Sequence, residues 1–164
     1  MKLSPADYRN LLADLLGRDL MCETRMRGRS MRPAIHDGDL VTLQPPTPDG
    51  VRPGDILLFV TPDGCPVCHR LVRIFRRGGQ RWVQTWGDAS PYPDCPVPMV
   101  SVLGRVERVR SEGREVTREV LAQTFRASLL RRRLCLWVPG LLRARMSRLP
   151  ECCAPAEKPH PLER

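Results

Sequence analysis

The chain has 164 residues, of which 41% are hydrophobic and 17 are proline, and its net charge is +9. This length and composition predict one folded domain with short strands and many turns, and they exclude a wholly disordered chain. The positive charge favours anionic partners such as phosphate groups, anionic lipid or acidic peptides. We expect no nucleic acid partner, because no helix-turn-helix spacing or RNA-binding signature accompanies the arginines.

Nothing in the sequence predicts a segment that inserts into a membrane. The N-terminal stretch places Asp7, Arg9 and Asp14 among its leucines, which a secretory signal peptide does not do. The longest apolar run, residues 134–142, contains Pro139 and falls short of the ~20 residues that span a bilayer. We therefore expect a cytoplasmic protein in which most of the seven cysteines are reduced.

The two ends of the chain are predicted to be helical. Residues 1–21 contain a helix that Ser4 caps, with leucines along one stripe. Residues 113–149 contain further helix from residue 115, in which arginines flank leucines and a tryptophan. We expect this basic segment either to cover the sheet or to make peripheral contact with a membrane surface. The proline-rich tail, residues 150–164, is predicted to be disordered.

Residues 22–112 are predicted to form a mainly β domain. Runs rich in β-branched and aromatic residues alternate with turn sequences such as RPAIHDG and TPDG. Strands are expected in the runs CETRMRG, DLVTLQ, DILLFV, CHRLVRIF, RWVQTW and MVSVLGRVERVR, with Gly104 at a bulge. We interpret the Gly-Asp pairs at 38–39 and 54–55 as tight turns that enter strands.

A serine in the stretch GRSMRPAIHDGDLV is the first candidate for chemistry. Ser30 lies at the mouth of a proline turn, and Gly28 leaves room for another backbone to approach. A serine hydroxyl attacks a carbonyl group only when a base removes its proton and donors stabilise the oxyanion. Because most serines before turns are structural, Ser30 alone does not establish a nucleophile.

His69 and two aspartates are candidates for the groups that such a serine needs. His69 lies in the β run CHRLVRIF, and imidazole is the side chain best suited to accept a proton near neutral pH. Asp88 and Asp94 lie in the loop TWGDASPYPD, where one aspartate could orient the imidazole as the third member of a triad. The structural alternatives are a histidine that packs within its strand and aspartates that stabilise a turn.

The order of these pieces resembles a known family. The runs SMRPAIHDGDLV, VRPGDILLFV, HRLVRI, GDASPYPD and VLGRV look like the clan of serine peptidases that contains signal peptidase I and LexA, over about residues 22–107. The resemblance implies a mainly β fold, a partly open coiled β-barrel of the LexA/signal peptidase type with flanking N- and C-terminal helices. It also implies a serine endopeptidase without a cofactor or metal, acting on a peptide or protein substrate.

The resemblance also assigns roles to individual residues. Within the clan the base is usually a lysine, but His69 stands at that position, which is similar to the endoplasmic-reticulum and archaeal signal peptidases. By this resemblance Ser30 is the nucleophile and His69 is the base. Asp94 is preferred over Asp88 as the orienting carboxylate, and Asp88 either supports the loop or substitutes for it. Met31 is implied to shape the substrate cleft.

The sequence departs from the clan in three respects. Gly28 stands where bacterial members often carry a hydroxyl group two residues before the nucleophile, so the oxyanion hole would depend on backbone N–H groups beside Ser30. The sequence also shows neither the membrane anchor of signal peptidases nor the DNA-binding domain of LexA-like members. We therefore expect a reduced peptidase core that processes a signal- or leader-type segment.

Two other classes of function stay open at this point. The same fold could bind a peptide or regulate a partner without catalysis. The stretch CPVCH, which ends at His69, matches the pattern of covalent haem attachment, and a zinc site could use Cys65, Cys68 and Cys95. Because haem attachment normally follows export and no second Cys-x-x-Cys completes a zinc site, two thiols in a turn are the preferred interpretation.

Overall fold

The computed structural model describes residues 4–47 and 49–125. The predicted tail and most of the predicted C-terminal helical segment lie outside these residues. The described elements in chain order are α1 (Pro5–Gly17), β1 (Cys22–Arg25), β2 (Leu40–Gln44), β3 (Ile56–Val60), β4 (Pro66–Arg77), β5 (Gln80–Trp86), β6 (Val97–Pro98), a 3-10 turn (Met99–Ser101), β7 (Val102–Ser111), β8 (Arg114–Thr117) and the helical residues 118–125, called α2.

The eight described strands form one antiparallel sheet that curls into a partly open barrel, which confirms the predicted fold class. Neighbouring strands follow the order β1-β2-β7-β3-β4-β5-β6, and β8 pairs with β7 outside this path. Pairing irregularities interrupt the registers of β2 with β7, β3 with β7 and β4 with β5. Such bulges increase the local twist, which lets a sheet curl.

The alternation of side chains along β3 explains how one sheet buries two cores. Ile56 and Leu58 pack into the larger cluster of buried apolar residues, together with Leu12 and Leu16 of α1. Leu57 and Phe59 point to the opposite face and pack into the smaller cluster. A strand that is buried on both faces holds its neighbours β4 and β7 in place, and these neighbours carry or support the candidate site.

Helix α1 covers one face of the sheet. Ser4 caps it by accepting a hydrogen bond from the Asp7 N–H, as the sequence predicts. Gly104 lets it pack closely on the sheet, because a Cβ atom there would stand 3.0 Å from Leu16 Cδ1. The pairing irregularity of β3 with β7 lies beside Gly104, where the sequence predicts a bulge. Within residues 4–47 and 49–125, no helix is long and apolar enough to cross a membrane.

The C-terminal helix begins later than its periodicity predicts. Residues Arg114–Thr117 form β8 instead, and helical structure starts at residue 118. Glu112 and Gly113 both have positive φ angles, 40° and 83°, so they reverse the chain and return it along β7. Across these residues, pairing with β7 therefore overrides the helical pattern of the local sequence.

Candidate active site

The loop that carries Ser30 connects β1 to β2 and is closed by its own backbone. The Met26 N–H donates to the Asp39 carbonyl, and the Gly38 N–H donates back to the Met26 carbonyl. Gly28 has a φ of 105°, a conformation that favours glycine, and its N–H donates to Asp37 Oδ1. These bonds present Ser30 at an exposed bend.

Three of the predicted site residues meet in a chain of hydrogen bonds. His69 Nε2 lies 2.9 Å from Ser30 Oγ, and His69 Nδ1 lies 2.7 Å from Asp94 Oδ2. His69 belongs to β4 and is only 8% exposed, whereas Ser30 is exposed. A molecule from solvent can therefore reach the hydroxyl group while the imidazole behind it stays shielded.

Neighbouring groups on β5 hold the Asp94 carboxylate. Thr85 Oγ1 donates to Asp94 Oδ2 over 2.7 Å, and the Asp94 N–H donates to the Thr85 carbonyl over 2.9 Å. The Gln84 side chain also reaches the Asp94 carbonyl at 3.4 Å. Thr85 is only 1% exposed, so this support belongs to the rigid part of the sheet.

The bonds at Asp94 determine which nitrogen of His69 carries a proton. An ionised carboxylate only accepts hydrogen bonds, so the short contact to Asp94 assigns the proton to Nδ1. Nε2 is then an acceptor and faces the Ser30 hydroxyl group. This is the tautomer in which the imidazole can take a proton from the serine.

The loop after β5 holds the backbone of Ser30 as well. The Ala89 N–H donates to the Ser30 carbonyl over 2.7 Å. Gly87 allows this approach, because a Cβ atom there would stand 2.9 Å from both His69 Nε2 and the Ser30 carbonyl oxygen. Real side chains do not adopt such distances, so the close contact depends on glycine.

We therefore expect Gly87→Ala to impair the site more than the fold. The added methyl group must displace the imidazole, the Ser30 backbone or the loop, and small displacements of reacting groups cost about 10²-fold in rate. Overpacking at one buried position costs about 1–3 kcal/mol in the free energy of unfolding. Hydrolysis kinetics and urea denaturation of the variant measure the two effects. A rate within twofold of wild type would contradict the packing argument.

Asp88 forms an ion pair with a buried arginine, whereas the carboxylate that is hydrogen-bonded to His69 is that of Asp94. Arg70 Nε and Nη2 bind the two Asp88 oxygens at 2.8 Å and 2.7 Å, with the two side chains only 1% and 5% exposed. Arg70 Nη1 also donates to the carbonyls of Gly54 and Leu121. Asp88 thus anchors the loop that contains Gly87 to the buried Arg70.

A cleft of about 570 Å³ opens beside the exposed serine. Its floor is apolar and includes Met31, Ile35 and Leu58, and Met31 is only 5% exposed. Gly28 and Ser30 lie along the same cleft. Met31 and Gly28 thus both line this cleft, and their contact with a substrate stays a prediction.

The arrangement of CPVCH does not suit haem or zinc. Both ring nitrogens of His69 already form hydrogen bonds, so neither is available as a metal ligand. Cys65 is exposed, Cys68 is buried among apolar residues, and both are free thiols, whereas Cys95 is disulfide-bonded. Within residues 4–47 and 49–125, no group of three or more histidine, cysteine or acidic side chains is arranged to hold a metal ion.

The two thiols of this motif should react at very different rates. Burial raises the pKa of the Cys68 thiol to about 12, so almost none of it is thiolate at pH 8. We expect iodoacetamide at pH 8 to label Cys65 at least about a hundredfold faster than Cys68 in the native protein. Peptide mapping before and after denaturation measures this. Equal rates in the native protein would contradict the burial of Cys68.

Sequence reasoning misses several residues that complete the site. Arg70 appears only as a neighbour of His69, and its burial gives no local signal because arginine is mostly exposed in proteins. Thr85 and the Ala89 N–H have no signal that a single sequence could reveal. Gly87 could have been found, since a glycine in a loop between two candidate residues suggests close backbone approach.

Comparison with known proteins identifies a family for this chain. The family model described as Peptidase S24-like matches residues 6–107, more than half of the chain. The matched range runs from α1 into β7 and includes Ser30, His69 and Asp94. No curated protein matches the chain.

Proposed function

The chain belongs to the Peptidase S24-like family, and from that premise we propose that it is a serine endopeptidase with Ser30 as nucleophile. The observation that carries the proposal is the continuous hydrogen-bond chain from Ser30 through His69 to Asp94. A histidine base distinguishes it from the lysine type of the clan and makes it similar to the endoplasmic-reticulum and archaeal signal peptidases.

Acylation starts from the geometry already present. Ser30 Oγ attacks the carbonyl carbon of the substrate while His69 Nε2 takes the hydroxyl proton, and the carbonyl electrons move to the oxygen. Asp94 stabilises the imidazolium that forms. Within the described residues the Ser30 N–H donates to no acceptor, so it can stabilise the oxyanion. Gly28 has no hydroxyl group to offer, so backbone N–H groups stabilise the oxyanion.

The intermediate then collapses and the enzyme is regenerated. The C–N bond breaks, the imidazolium of His69 gives its proton to the leaving amine, and the acyl group stays on Ser30. Water attacks the ester while His69 accepts a proton from it. The proton returns to Ser30 Oγ as the carboxylic acid leaves. The proton transfers between Ser30 and His69 use groups already within hydrogen-bond distance of each other.

The substrate we propose is an extended peptide segment that lies in the cleft beside Ser30. Strand β1 has β2 as its partner and stands at the end of the strand order, so a peptide can add to its open edge. Processing of a leader segment on a cytoplasmic precursor fits this arrangement. The basic segment within 113–149, most of which lies outside the described residues, is proposed to make peripheral membrane contact.

A fluorophosphonate probe tests the nucleophile directly. We expect the purified protein to gain the mass of one phosphonyl group on Ser30, as seen by intact mass and peptide mapping, and Ser30→Ala to gain none. Asp94→Asn should label about 10⁴-fold more slowly, because the amide favours the wrong tautomer of His69. Absence of labelling together with absence of peptide cleavage would leave the non-catalytic peptide-binding module as the function.

A further inference from the structure

The cleft beside Ser30 combines an apolar floor with a basic wall. Met26, Met31 and Leu58 line it together with Arg25 and Arg27. Among the described residues that line this cleft there is no aspartate or glutamate. The described lining itself therefore carries positive charge and no carboxylate.

The arginines follow the alternation of the chain that leads to the nucleophile. Arg25, Arg27 and Arg29 are exposed, whereas Thr24 is buried and Met26 is partly buried. Side chains with this period of two lie on one side of an extended backbone. The alternation ends at Gly28, whose φ of 105° is not extended, so it aligns only Arg25 and Arg27, here called the cationic edge, which both line the cleft.

The cationic edge is not neutralised by the rest of the described chain. Arg25 donates to the Gly38 carbonyl, which is uncharged, and Arg27 forms no ion pair within residues 4–47 and 49–125. Of two nearby carboxylates, Glu23 is neutralised by its pair with Arg110, whereas Asp37 accepts the uncharged Gly28 N–H and keeps its charge. One negative charge does not offset the two arginines. Positive charge on the cationic edge is therefore available to a ligand.

We infer that the substrate is an acidic peptide, with apolar side chains seated on the cleft floor and carboxylates at alternate positions paired with the cationic edge. This rests on the proposed function, because the cleft matters to substrate choice only if Ser30 reacts there. Extended peptides present alternate side chains to the same side, so the spacing of the arginines matches that of acidic residues in a bound strand. Complementary charge at a rim raises the association rate and selects partners.

Anionic lipid is the other ligand chemistry that attracts arginines, but the site favours a peptide. The cationic edge borders a concave cleft with a hydrogen-bonded serine and histidine, and a membrane surface cannot enter such a cleft. A strand edge adjoins the same cleft and offers backbone donors and acceptors that a peptide uses and a lipid headgroup does not.

Binding to the non-hydrolysing Ser30→Ala variant tests the inference by fluorescence anisotropy. Three labelled decapeptides share one apolar centre and carry Glu, Gln or Lys at two alternate positions. We expect the Glu peptide to bind about tenfold more tightly than the Gln peptide, with the difference shrinking as salt is added. Adding Arg27→Glu should reverse this preference. Adding Arg76→Glu, the same charge change at an exposed site in the β4–β5 hairpin, should keep it.

Three results would overturn the inference: equal or tighter binding of the Gln or Lys peptide, no binding of any peptide, or displacement by phosphatidylglycerol vesicles without a Glu preference. The last result would assign the cationic edge to a membrane surface.

Hydrolysis of the same peptides by the wild-type protein distinguishes a failure of this inference from a failure of the proposed function. If the wild-type protein hydrolyses the Gln and Glu peptides equally, only the inference fails. If Ser30→Ala prefers the Glu peptide but wild type cleaves none of the three, the proposed function fails and the cleft is left as a binding site for acidic peptides.

Discussion

Ser30→Ala and His69→Ala are each expected to lower kcat for peptide hydrolysis by about 10⁴- to 10⁶-fold. The first removes the attacking oxygen and the second removes the group that accepts its proton at 2.9 Å. Because the two residues act in one step, the double variant should be about as slow as either single variant. Cleavage assays stopped at timed intervals and read by mass spectrometry give the rates.

The rate of hydrolysis by the wild-type protein should also fall on acidification, since a protonated imidazole cannot accept the serine proton.

A matched control separates this loss from unfolding. Ser101→Ala makes the same chemical change in the 3-10 turn before β7 and should leave the rate unchanged. Ser30 is exposed, so Ser30→Ala should change the free energy of unfolding by no more than about 0.5 kcal/mol. If either Ser30→Ala or His69→Ala hydrolysed the same peptide at close to the wild-type rate, the proposed nucleophile or base would be wrong.

Asp88→Ala should lower the free energy of unfolding by about 3–5 kcal/mol, because it leaves the Arg70 guanidinium buried without its carboxylate. Arg70 joins three parts of the chain, since it also donates to the carbonyls of Gly54 and Leu121. Urea denaturation measures the loss. The rate of hydrolysis should fall as well, because Asp88 anchors the loop whose Ala89 N–H holds the Ser30 carbonyl.

Two further variants decide whether burial is the cause. Asp49→Ala breaks a pair with Arg81 in which Asp49 is fully exposed, and it should cost about 0–1 kcal/mol. Arg70→Met combined with Asp88→Leu removes both charges and should recover much of the stability that Asp88→Ala loses. An Asp88→Ala variant as stable as Asp49→Ala would show that the buried pair does not hold this loop.

Local pattern was enough to predict six of the eight described strands, all but β6 and β8, and the N-terminal helix. The signals used were period-two alternation, proline and glycine turns, and a serine cap. Each of them acts over a few neighbouring residues, so it can be recognised in the sequence. The runs DILLFV and RWVQTW contain β3 and β5, and the cap at Ser4 begins α1. The same reasoning misplaced the start of the C-terminal helix, because the pairing of β8 with β7 is not a local interaction.

The order of the motifs predicted that Ser30 and His69 act together. It left two aspartates as candidates for the carboxylate that orients His69. Only the tertiary structure distinguished them, because the choice depends on how the loop after β5 returns along the sheet. That path brings Asp94 to His69 and Thr85, and it turns Asp88 toward Arg70. Residues 39 and 25 positions apart in the chain meet there. Contacts over such distances arise from strand pairing and burial, which no short stretch of sequence contains.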